Sequence, residues 1–155
     1  MDAQQTNAKY LAWFGGNQHA VNMYHMFVEL SHSWDDIVDG DANISQERIN
    51  KAFLIALVYL PSNPFYRMIQ EQVLPMWITI VSSYETANKF EQDKDLHGLE
   101  ISHGLRYAAG HIIAYAINVC LGPEKARDVL PEMWKTIYFE RFEEYRKEHL
   151  DADSK

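Results

Sequence analysis

Residues 25–41 read HMFVELSHSWDDIVDGD, and their spacing decides the fold. At about 100° per residue, His25, Glu29, His32, Asp36 and Asp39 fall within an arc of roughly 80° on a helix, with Asp35 about 40° beyond its edge. Met23, Phe27, Leu30, Trp34 and Ile37 gather on the opposite side. Such two-sidedness predicts an amphipathic α-helix with one face in a core. Asn17 is placed to cap its start, and Gly40 to stop it after about Asp39.

Glycine, proline and capping residues divide the rest of the chain in the same way. Gly15-Gly16 closes a short first element, and Ser45 caps a helix in which Ile49, Ala52, Phe53, Ala56, Leu57 and Leu60 keep helical spacing. Pro61-Ser62-Asn63-Pro64 stops that helix and starts another, expected to reach about Gln92 with a kink or split at Pro75. Asp95 caps a further helix closed by Gly122-Pro123, and a last one runs to about His149 with a break near Pro131. Alternating apolar runs joined by Asn-Gly or Asp-Gly are missing, so strands are not expected. The chain therefore reads as all-α, a compact antiparallel bundle of about five helices, with residues 1–155 forming a single helical domain.

With hydrophobic residues at 47%, a packed core is within reach. The single Cys120 rules out an internal disulfide and, lying in an apolar helix, reads as inert. The apolar run Ala52 to Leu60 is too short to span a bilayer, and the first residues lack the layout of a signal peptide. A cytoplasmic protein is expected, in host cytoplasm if the source is viral. The formal net charge of −8 and the absence of a basic stripe argue against nucleic acid as a partner. Cations, small phosphorylated molecules or other proteins fit better, and a homo-oligomer is compatible.

Between Lys9 and Arg48 there is no lysine or arginine. Asp35, Asp36 and Asp39 crowd a helix C-terminus, where the dipole disfavours anions, and ordinary exposed faces mix their signs. A hard divalent cation, Mg²⁺ or Mn²⁺, would compensate them, with Glu29 and His32 as further ligands or as a base for a metal-bound water. A solvated acidic face is the plainer alternative.

Asp35-Asp36-Ile37-Val38-Asp39 matches DDxxD, and this helix end resembles the first aspartate-rich motif of isoprenoid (polyprenyl diphosphate) synthases. That resemblance implies magnesium held by Asp35, Asp36 and Asp39 and gripping a substrate diphosphate; no second such motif follows. The acidic helix also resembles the magnesium-binding helices of MazG-type pyrophosphohydrolases. The segment Glu29 to Asp41, with Asn63-Pro64-Phe65-Tyr66, resembles small helical proteins of tailed phages.

A second polar stripe, Glu100, His103, Tyr107, His111 and Asn118, lies along an otherwise apolar helix. Arg106 and Tyr107 are the candidates there for steadying a phosphate. Glu29-Leu-Ser-His32 and Glu100-Ile-Ser-His103 are both ExxH, a pairing that resembles the ferritin-like di-iron bundles and implies iron as an alternative metal. Three functions follow as expectations: a divalent-metal protein acting on a phosphorylated or diphosphate small molecule, a non-catalytic interaction module with an acidic partner-binding face, and a di-iron carboxylate bundle.

Overall fold

The computed structural model describes residues 3–38, 40 and 44–151, and its regular elements are all helical, with no strand among the described residues. In chain order they are α1 (Ala3–Trp13), α2 (Gln18–Val38), α3 (Gln46–Leu54), a π-helical turn (Ile55–Tyr59), α4 (Leu60–Ser62), α5 (Pro64–Asp93), α6 (Leu96–Arg106), α7 (Gly110–Leu121), α8 (Pro123–Ile137) and α9 (Phe142–Asp151). Six of the α-helices reach eleven residues or more, against the five expected.

The predicted caps are made by the predicted atoms. Asn17 Oδ1 accepts from Ala20 N at 3.2 Å, Ser45 Oγ from Arg48 N at 3.1 Å, and Asp95 Oδ2 from Gly98 N at 2.8 Å. Gly15 and Gly16 turn the chain between α1 and α2 at φ of 58° and 82°, a region that costs a side chain strain.

Three expectations are corrected. α5 is not split at Pro75, and α8 runs on through Pro131, the break in the last helical stretch falling instead at 138–141. Both prolines lie on the solvent side, where water can serve the carbonyl that loses its donor. The helix expected from Asp95 to Gly122 is instead interrupted between Arg106 and Gly110, where Tyr107 N, Ala108 N and Gly110 N bond to the carbonyl three residues back. The passage ends at Gly110, where a Cβ would stand 2.5 Å from the Trp134 ring.

The segment from Ala52 to Leu60 departs furthest from its reading. Ala52, Ile55 and Leu60 are buried, whereas Phe53 and Leu57, expected on the same face, are 60% and 71% exposed. In an α-helix Leu60 would sit about 140° away from Ile55. The π turn, closed by Leu60 N–H onto Ile55 O, returns it to the buried side. Pro61 accounts for the position of this turn, since its ring would clash with the carbonyl of Leu57 in a regular helix.

The chain gathers into two compact units, Met1–Glu71 with Ala116–Ala126, and Gln72–Tyr115 with Arg127–Lys155. In the first, Trp13, Phe14, Met23, Phe27, Phe65 and Ile69 are buried, and Tyr24 sits against Tyr10, Trp13 and Phe14. In the second, Val73, Ile80, Leu99, Ile112 and Met133 are buried.

Asn63 ties α5 to α2 within the first unit. Its Oδ1 accepts from Phe65 N at 2.9 Å and Tyr66 N at 3.0 Å, while its Nδ2 donates to His19 O at 3.0 Å, and the residue is only 5% exposed. Asn63→Ala is expected to cost about 2 kcal/mol, read as a lower urea midpoint at unchanged slope. Asn63→Asp, which keeps the capping oxygen, is expected to recover about half of that.

Candidate functional site

The acidic side of α2 meets cations that the local sequence does not supply. Arg48 forms an ion pair with Asp36, and Lys51 Nζ lies 3.1 Å from Glu29 Oε1. Arg48 and Lys51 stand three residues apart on α3 and so share a face, as Glu29 and Asp36 do seven residues apart on α2. The Asp36 Oδ2 that Arg48 meets is shut off from solvent and has no hydrogen-bond partner among the described residues, so Arg48 meets it as an ion pair.

His32 is exposed, and Asp35 is half-buried. Asp39, like Asp41, lies outside the described residues. Among the described residues no three His, Cys, Asp or Glu side chains gather where they could hold a metal ion. The electrostatic premise for a cation, an uncompensated helix end, is therefore filled by Arg48 and Lys51 as far as Glu29 and Asp36 are concerned. The His25 ring packs against Tyr10 and Tyr24 at 5.3 and 5.4 Å, and burial pushes its imidazole below the ordinary value.

The second stripe disperses. Glu100 is exposed, with His97 Nδ1 at 3.6 Å from its Oε2. His103 turns inward, its Nε2 3.2 Å from the Glu140 carbonyl and its ring among those of Tyr107, Tyr138, Phe142 and Tyr145. Tyr107 stacks on Tyr138 with centroids 4.1 Å apart, and His111 meets Trp134 edge-on. The ExxH pair at Glu100 and His103 thus points in two directions.

Arg106 is engaged in a different task. Its Nε donates to Glu91 Oε1 at 2.7 Å and its second nitrogen to Oε2, while its guanidinium lies 4.5 Å from the Tyr84 ring centroid. The two side chains are 14% and 9% exposed. Tyr145 donates its hydroxyl proton to Glu91 and, with that proton spent, accepts from Ser102 at 2.6 Å.

Burial alone would raise the Glu91 carboxyl, but the hydrogen bonds from Arg106 and Tyr145, with the charges of Arg106 and His149, hold it below its ordinary 4.5. Burial, then Glu91, push the Tyr145 phenol upward. This closed network leaves Arg106 committed to Glu91 rather than facing a phosphate. Burial also raises the Cys120 thiol to about 11, which suits the inert reading.

The surface feature that sequence reasoning missed lies on α5. Val73, Ile80, Tyr84 and Ala87 form its buried row, while Leu74, Ile78 and Val81 form a second row at 58%, 72% and 39% exposure. Spaced by four and then three residues, these three fall within an arc of about 60°. Thr79, Ser82 and Thr86 return their hydroxyl protons to Pro75 O, Ile78 O and Ser82 O. The polar groups beside the row are thus satisfied within the helix. The signal was in the sequence: α5 carries two apolar rows, and one face cannot hold both.

Set against protein-family models, curated proteins and solved structures, the chain matches none.

Because the Glu91 carboxyl is lowered in the folded state, its contribution is fully present above pH 4.5 and is lost as pH falls through its folded value. Glu91→Gln is expected to cost about 3 kcal/mol at pH 7, as it leaves Arg106 buried without its charge partner. It is also expected to flatten the loss of stability below pH 4.5, measured by urea unfolding across an acid series.

Proposed function

We propose that this chain is a non-catalytic protein-interaction module that docks an amphipathic helix of a partner along Leu74, Ile78 and Val81. The observation that carries the reading is the exposure of this row on a helix whose other apolar row is already buried. A spacing of i, i+4, i+7 is the pattern by which one helix seats another, knobs of each entering holes of the other.

Charge supports a basic partner. Between Arg67 and Lys89 the chain has no lysine or arginine, and its two charged residues there, Glu71 and Glu85, are acidic. Pairing the row with itself would oppose acid to acid, whereas lysines or arginines flanking a partner's apolar stripe meet Glu85 with opposite sign. No helix among the described residues is long and apolar enough to cross a membrane. Of the residues that suggested metal or phosphate chemistry, Glu29, Asp36 and Arg106 make ion pairs or hydrogen bonds inside their own units.

Covering the exposed parts of three aliphatic side chains contributes roughly 3–5 kcal/mol before the cost of association, which suits reversible docking at about 10–100 µM once the partner's own burial is added. A fluorescent three-heptad peptide with leucine at its seam and lysine at its flanks is expected to bind in that range by anisotropy. Ile78→Asp is expected to weaken it at least tenfold, and a glutamate-flanked version to bind no better than the mutant. Equal binding of both peptides, or binding indifferent to Ile78→Asp, rejects the docking row.

This reading also predicts that millimolar Mg²⁺ or Mn²⁺ moves the melting temperature no further than matched ionic strength does. A specific divalent shift removed by Asp36→Ala would restore the metal function instead.

A further inference from the structure

We infer that the surface around the π turn is a two-fold contact by which this chain associates with a second copy of itself. The inference stands on the first unit alone and does not depend on the helix-docking row. Phe53, Leu54, Leu57, Val58 and Tyr59 are 60%, 47%, 71%, 46% and 50% exposed, five large apolar residues within seven positions, interrupted by the buried Ile55 and the small Ala56. A shallow groove beside them is lined by Gln46, Glu47, Asn50 and Lys51 together with Leu54 and Tyr59.

Two features select a second copy as occupant. An isologous contact requires a surface that complements itself, and this groove carries one acid and one base a single turn apart on α3, Glu47 and Lys51. A two-fold axis passing between these two residues places Glu47 of each copy against Lys51 of the other. Lys51 has the capacity for this, because its side chain is 58% exposed and its ammonium has three donors, one of them directed to Glu29.

Area agrees. Five half-exposed large side chains offer on the order of 500 Å² per copy, so a pair that covered all of them would bury about 1,000 Å², the lower bound for a specific interface. The contact is therefore weak and concentration-dependent, with the apolar residues supplying attraction and the charge exchange setting register.

Sedimentation velocity of the full chain over a dilution series tests this. The wild type is expected to pass from monomer to dimer in the micromolar range, and Leu57→Asp and Leu57→Ser to remain monomeric with unchanged circular dichroism. Glu47→Lys and Lys51→Glu are each expected to weaken the dimer about tenfold, and an equimolar mixture of the two to regain it, because the mixed pair again opposes unlike charges at both contacts. Ile78→Asp is expected to leave the dimer intact, which separates this surface from the docking row. A wild type monomeric throughout, a dimer indifferent to Leu57, or a mixture no stronger than its components overturns the inference.

Discussion

Glu29 and Asp36 stand about two turns apart on α2, and each meets a cation from α3. Arg48 and Lys51 flank the side of α3 that carries the buried Ala52 and Ile55, at spacings of three, one and three, with Lys51 at its solvent-exposed edge. Fixing that face inward forces Phe53 and Leu57 outward. Two ion pairs thereby bring cations to Glu29 and Asp36 and orient the segment whose apolar residues meet solvent. Half-exposed ion pairs of this kind contribute little to stability by themselves. Their effect here is on orientation.

The second unit has its own closed arrangement, in which Glu91 is met by Arg106 and Tyr145, with Ser102 behind the phenol. Low solvent access strengthens each member and makes any vacancy costly. Groups so thoroughly engaged are poor candidates for transient chemistry. The two units share this trait: charged residues that look poised for work in the sequence are spent on partners, while apolar residues that look like core remain open.

Much of the helical framework was legible because capping is local. Asn17, Ser45 and Asp95 each serve an N–H three residues away, and nothing distant can alter that arithmetic. The prolines at 75 and 131 misled, since the penalty of a proline depends on whether its freed carbonyl reaches water, a property of the fold rather than of the residue. The contact that requires glycine at 110, just after the break, comes from Trp134, far along the chain. The pairing of Asp36 with Arg48 was hidden for a related reason: counting charges along one helix leaves out the helix beside it. Glu91 and Tyr145 carry no motif, and only their convergence on Arg106 gives them meaning.

The π turn at Ile55–Tyr59 holds one residue more than a regular turn would need. A chain shortened by a single residue there could wind as ordinary α-helix, carrying a different set of side chains outward while α3, anchored upstream by its cations, stayed in place. The presence of this exposed apolar surface is thus governed by chain length at one position, so that insertion or loss of one codon would act on it more strongly than most substitutions.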